Sequence, residues 1–175
     1  MDGQELLKSI VDLSGAALQE EDRQIRLALH ERGGLGGLSH VQNERFQQYA
    51  IWKGLLPKYN ARYECDGYHD IAIEFEGTSH YVELKNWREE KDGWQLQSMN
   101  SDIKKLSARQ SGFLLVTSMN PLGSTEKYLN ELQRVLNGVL PCDRQTSKFR
   151  TVGKGGEDVE SWIAGWPVPS GLPSI

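Results

Sequence analysis

Two short runs near the middle of the chain alternate apolar and polar residues with a period of two. In YHDIAIEF, Ile71, Ile73 and Phe75 alternate with Asp70, Ala72 and Glu74. In HYVELKNW, Val82 and Leu84 fall on one face while Tyr81, Glu83 and Lys85 fall on the other. Period two is the pattern of a strand with one face buried. Gly77, Thr78 and Ser79 between the runs supply the turn of a hairpin. Each strand then buries its apolar face, and pairing brings the charged residues of both onto the opposite face.

Helical spacing flanks this hairpin. SHVQNERFQQYAIWKGLL reads as a helix with Ser39 as N-cap, Gln42 completing a capping box, and Val41, Ile51 and Leu55 marking its apolar stripe. Glu44 falls on that same stripe. GWQLQSMNSDIKKLSARQ reads as a second helix, with Leu96, Met99, Ile103 and Leu106 on one face. GFLLVTS is a continuous apolar run of the kind found in fully buried strands. STEKYLNELQRVLNGVL follows as a third helix, with Tyr128, Leu132, Val135 and Leu136 at helical spacing. With ARYEC as a short first strand, the order is helix, three strands, helix, strand, helix, which predicts an α/β fold.

The ends are expected to differ in kind. Residues 1–32 read as an N-terminal extension of one or two helices, with Leu6, Ile10 and Leu13 on one face and Asp22 placed to cap a second segment. This extension packs on the core by default, and otherwise offers a surface for a homodimer or a partner protein. GGLGG at 33–37 breaks the chain with a flexible or sharply turning connector. Residues 38–150 are the expected core. Residues 151–175, rich in Gly and Pro, are expected as a tail docked on it through Trp162, Ile163 and Trp166.

Composition narrows the classes further. A chain of 175 residues fits one domain with a real core. No apolar run approaches a membrane span, and MDGQELLKSIVDL lacks the basic start of a signal peptide, so the expected compartment is the cytoplasm, with no membrane partner. Cys65 and Cys142 do not make a disulfide framework. His30, His40, His69 and His80 show no zinc-ligand spacing. His69, next to Asp70, either touches the same site or, as strict alternation favours, points to the other face in a structural role. A net charge of −4 argues against a generic polyanion binder. Basic residues do cluster locally, at Lys104, Lys105 and Arg109 and at Arg144, Lys148, Arg150 and Lys154. Such clusters are usually solvated faces, and here they are candidates for phosphate contacts.

The chemistry centres on the hairpin. Asp70 and Glu83 offer two hard oxygen ligands suited to Mg²⁺ or Mn²⁺, and Lys85 a point charge beside an attacking water. The Glu-x-Lys pattern alone says little, since a second copy occurs at Glu89 and Lys91 in the polar stretch REEKDG, which reads as a solvated loop. Glu44 has two readings. It forms a salt bridge to Arg45 or Lys53 at the edge of its stripe, or it reaches the hairpin's metal site.

This order of elements, with Glu44 in the first helix, Asp70 in the second strand and Glu83-Leu84-Lys85 in the third, resembles the PD-(D/E)xK nuclease superfamily. The resemblance covers roughly residues 39–137, and departs from the family's motif at His69, where the name has proline. It implies a restriction-endonuclease-like core, a mixed four-stranded sheet flanked by helices, here with extra N-terminal helices. It implies that Asp70, Glu83 and the main-chain carbonyl of Leu84 bind Mg²⁺ or Mn²⁺, and that Lys85 orients or activates the attacking water. Glu44 matches the family's first-helix acid, reaching the metal through a water or holding a second metal, and Gln97 sits where some members place another polar residue. The expected function is a metal-dependent nuclease cleaving nucleic acid, as a DNA endonuclease. The alternative is a catalytically silent member of the fold that works in binding, immunity or complex assembly.

Overall fold

The computed structural model describes residues 2–41, 43–65, 69–87, 94–136 and 139–172. Helix α1 spans Gly3–His30 and is a single unbroken helix. Asp2 caps it in a reciprocal box with Glu5, so its first turn has its amide donors satisfied. Leu6, Leu7, Ile10, Val11 and Leu18 recur on one face and are all buried. Asp22 does not cap a second segment. It lies inside α1, where its buried carboxylate accepts hydrogen bonds from the Leu38 N–H at 2.7 Å and the Thr151 hydroxyl at 2.5 Å.

The next helix also differs from the sequence expectation. Residues Leu38–Val41 form a short 3-10 turn, and α2 runs Glu44–Leu55 with Asn43 as its N-cap. Gln42, the expected partner in a capping box, lies outside the described residues. The strands follow as β1 (Asn60–Cys65), β2 (His69–Phe75) and β3 (Thr78–Asn86), then α3 (Trp94–Ser107), β4 (Gly112–Pro121) and α4 (Thr125–Leu136). The Glu89 and Lys91 copy of the motif lies outside the described residues.

The expected tail is instead two strands, β5 (Gln145–Val152) and β6 (Asp158–Val168). The sheet therefore has six strands rather than four, in the order β1-β2-β3-β4-β6-β5. It is mixed: β3 and β4 are parallel and every other pair is antiparallel. Strand β6 sits beside the buried β4, so its residues face a core on both sides. Trp162 and Trp166 enter the layer under α3 and α4, while Ile163 enters the layer under α1 and α2. The tail reading failed because Gly and Pro were weighed above the alternation of Trp162, Ala164 and Trp166 with Ile163. Gly165 answers to packing. A Cβ there would meet Val11 Cγ2 at 2.7 Å and Leu7 Cδ1 at 2.9 Å, so α1 lies directly on β6.

The architecture is a six-stranded mixed sheet with α1 and α2 on one face and α3 and α4 on the other. Among the described residues no helix is long and apolar enough to cross a membrane.

Candidate active site

The hairpin register decides which side chains meet. β2 and β3 pair from Phe75↔Thr78 up to Ile71↔Val82, and there the ladder between them ends. Beyond it, the Asp70 carboxylate takes over the role of a backbone carbonyl. Its Oδ2 accepts the Leu84 N–H at 2.7 Å. On the other neighbour, Glu64 has φ 46°, a left-handed conformation that marks a break in the regular pleat of β1.

This irregularity overturns the strict alternation used for His69. The ring does not turn away from the acids. Its Nδ1 lies 2.7 Å from Glu83 Oε1, and it is wholly buried. Its Nε2 accepts from Arg109 Nε at 3.0 Å, and Arg109 also lies over the Tyr81 ring. Period-two reasoning holds only while the ladder continues, and His69 lies past its end.

Glu83 faces α3, being paired with Leu114 in the parallel ladder to β4. It is 2% exposed, and its Oε1 also meets Lys105 Nζ at 2.5 Å. Burial, and next the Asp70 carboxylate, push the Glu83 carboxyl up from 4.5 to about 8, with Lys105 acting against them. Burial likewise raises Asp70, opposed by the Leu84 N–H and by Lys85.

Lys85 is the hub of the remaining charges. Its Nζ lies 3.0 Å from Asp102 Oδ2 on α3 and 3.4 Å from Glu44 Oε1 on α2. Burial disfavours its charge, but Asp102, Glu44 and Asp70 together outweigh that and raise its pKa. Glu44 accepts a second hydrogen bond, from the Asn86 N–H at 3.1 Å. It is the first residue of α2 rather than part of its buried stripe, and its partners are Lys85 and Asn86, not Arg45 or Lys53. Lys53 instead pairs with Glu21 on α1. Asn86 is held further by Gln47, which also accepts from the Thr117 hydroxyl at 2.6 Å.

Asp70, Glu83, Lys85 and Glu44 are therefore brought to one end of the β2–β3 pair, between α2 and α3. Three further residues join them: Asp102 and His69, and Lys105 from the basic cluster expected to contact phosphate. Asp102 and Lys105 had a signal, since they lie one helical turn apart and beside the apolar stripe of Met99, Ile103 and Leu106. Gln97 does not join them. It is exposed on α3 and borders an open groove with Asn100, Ser101 and Lys104.

The basic clusters divide in the same way. Lys105 and Arg109 turn into the site, while Lys104 stays exposed. Arg144 and Lys148 lie at the far side of the sheet, paired with Glu126 and Glu160.

The donor set can be tested against a divalent cation. Asp70 and Glu83 each anchor one oxygen, Oδ2 on Leu84 and Oε1 on His69 and Lys105, and the other oxygen hydrogen-bonds to no described residue. Mg²⁺ keeps several waters and is held by one or two carboxylates, which suits such a pair. Among the described residues, no group of three or more His, Cys, Asp or Glu is placed to hold a metal. Asp70 and Glu83 fit as the protein's share of a largely hydrated ion. Asp102 Oδ2 is buried and in charge contact with Lys85 at 3.0 Å but makes no aligned hydrogen bond.

Comparison with protein-family models, with curated proteins and with solved structures finds no match for this chain.

Proposed function

We propose that the chain is a metal-dependent phosphodiesterase that cleaves nucleic acid, as a DNA endonuclease, on a restriction-endonuclease-like core within its six-stranded sheet. One observation carries the reading: the part-buried Asp70 and the buried Glu83, whose proton affinity the Asp70 carboxylate raises, share one end of the hairpin with Lys85, whose ammonium is held by Asp102 and Glu44. Two carboxylates set close enough for one to raise the other's proton affinity favour a site where a further cation shares their charge with Lys85 and Lys105.

Asp70, Glu83 and the Leu84 carbonyl would hold Mg²⁺ or Mn²⁺. Such an ion, when bound, lowers the pKa of a water and offsets charge on a phosphate. Lys85, flanked by three carboxylates, keeps its proton and so cannot serve as the general base. It supplies positive charge where negative charge grows on the phosphoryl oxygens, and it can donate a hydrogen bond that orients the attacking water. Glu44 holds the Lys85 ammonium from the α2 side and Asp102 from the α3 side, which fixes its direction. Nearby, Tyr49, Trp52 and Tyr63 pack ring to ring at 5.6–6.3 Å, and Tyr49 is 49% exposed. Such rings give unstacked bases a surface to lie on.

A second reading keeps the fold and drops the chemistry, with the chain acting as a binding or assembly protein. The observation that favours it is Lys105, whose ammonium already neutralises Glu83 without any metal.

The test is cleavage of plasmid and single-stranded DNA with Mg²⁺ or Mn²⁺ by wild type, Lys85→Ala and Lys91→Ala. Cleavage by wild type and Lys91→Ala but not by Lys85→Ala supports the nuclease. Equal cleavage by all three points to a contaminant. No cleavage across varied substrates leaves the binding protein as the better account.

A further inference from the structure

We propose that His69 and Arg109 are positioning residues that determine which oxygen of Glu83 is offered to the metal ion. The inference rests on the metal-dependent reading above, and its test separates the two.

The argument starts from Arg109. A guanidinium has no acceptor atom and keeps its charge in proteins. The 3.0 Å contact of its Nε with His69 Nε2 therefore requires a lone pair on Nε2. A neutral ring with a bare Nε2 must carry its hydrogen on Nδ1. Glu83 Oε1, 2.7 Å from Nδ1, accepts that N–H. So Arg109 selects the tautomer, and the tautomer makes His69 a donor to Glu83.

The ring is held rigidly enough to matter. It is 0% exposed, and its centroid lies 4.6 Å from that of Tyr81. Arg109 covers the same tyrosine at 4.7 Å, so guanidinium, phenol and imidazole form one packed unit. Lys105 Nζ approaches the same Glu83 oxygen at 2.5 Å. Oε1 is thus engaged by two donors, while Oε2 hydrogen-bonds to no described residue. The carboxylate is pinned by one oxygen and presents the other, as a monodentate ligand requires.

Protein metal sites commonly use a carboxylate to orient a ligating histidine through the ring's far nitrogen. Here the order is reversed: a histidine orients a ligating carboxylate, and an arginine orients the histidine.

The experiment uses the full chain with Mn²⁺ as the probe. Calorimetry compares wild type, His69→Leu, His69→Asn and Arg109→Leu, and nitrogen-15 NMR reads the His69 tautomer in wild type and Arg109→Leu. The asparagine amide can donate from near the Nδ1 position, so it serves as the conservative rescue. His69→Leu is expected to weaken Mn²⁺ binding about 10- to 100-fold, the scale for groups that orient ligands. His69→Asn should recover most of that loss. Wild type should show hydrogen on Nδ1, and Arg109→Leu should shift the signal toward a mixture of tautomers and weaken Mn²⁺.

Wild-type binding with equal affinity in the His69 variants would overturn the positioning role and leave the metal reading intact. Hydrogen on Nε2 in wild type would overturn it as well, and this measurement stands even where His69→Leu fails to fold. No Mn²⁺ binding by wild type would remove the metal reading and the inference together.

Discussion

Glu83 and Asp22 are both carboxylates taken almost wholly out of water, at 2% and 3% exposure. Their surroundings differ in kind. Asp22 accepts from two neutral donors, the Leu38 N–H and the Thr151 hydroxyl, with Arg26 at 3.8 Å. It ties α1 to the end of the glycine-rich connector and to β5. Glu83 sits among charges: the carboxylates of Asp70 and Asp102 raise its proton affinity and Lys105 lowers it. A buried acid held by fixed dipoles is a fastening between elements. A buried acid set beside other acids gains proton affinity and attracts cations, as Lys105 shows here. The difference separates structure from site within one molecule.

The largest effect expected from this contrast lies at Lys85. Lys85→Ala should keep the fold and metal binding, yet lower turnover at least about a hundredfold, the scale for removing one electrostatic stabiliser of a transition state. The readout is single-turnover cleavage of plasmid DNA with Mn²⁺, and unchanged turnover would remove Lys85 from the chemistry.

Asp22 should respond in stability instead. Asp22→Ala leaves the Leu38 N–H and the Thr151 hydroxyl without their acceptor, so it should cost about 1–3 kcal/mol for each group left unsatisfied. Urea unfolding monitored by tryptophan fluorescence measures this. A variant as stable as wild type would mean that the connector is held by other contacts.

Glu44 is expected to matter less. It is partly exposed and shares Lys85 with Asp102. Glu44→Gln should fold normally and lower turnover about tenfold, the loss of one charge-assisted contact of about 1.4 kcal/mol. Wild-type turnover in this variant would make Glu44 a structural cap on the end of β3.

The same contrast also predicts a pH dependence. In the unfolded chain Glu83 ionises near 4.5, whereas in the folded protein it keeps its proton up to about 8. Between those values the folded state binds more protons than the unfolded one. The contribution of Glu83 to stability is therefore full below about 4.5 and is lost as pH rises toward about 8. Thermal melts of the metal-free protein across this window should decline more steeply for wild type than for Glu83→Gln, which mimics the neutral acid. Parallel profiles would show that Glu83 ionises in the folded state as it does in the open chain.

The site was legible wherever regular periodicity held. Alternation through Ile71, Ile73, Val82 and Leu84 put Asp70, Glu83 and Lys85 on the polar face of a hairpin, whereas the helical pattern set Glu44 on an apolar stripe and left its partner open. It failed where the ladder stops. His69 lies one residue beyond Asp70, past the last β2–β3 pair, so no period governs its direction. Asp102 is not singled out, because aspartates on an amphipathic helix ordinarily face solvent, and Lys105 reads only as a phosphate contact rather than as a partner of Glu83. The edge of the stripe at Met99 and Leu106 is where such residues can turn inward. Strand β5 was hidden by its largely polar sequence QTSKFRTV, and β6 by the glycines and prolines around it, although a central strand facing two cores shows a nearly continuous apolar run, as SWIAGW does.

Calorimetric titration of Mn²⁺ into wild type, Asp70→Asn, Glu83→Gln and Asp22→Asn tests the central claim most directly. The account predicts binding by wild type, loss of affinity in Asp70→Asn and Glu83→Gln, and wild-type affinity in Asp22→Asn, whose altered acid is equally buried but serves only as a fastening. Equal binding by all four proteins, or none by wild type, would contradict it.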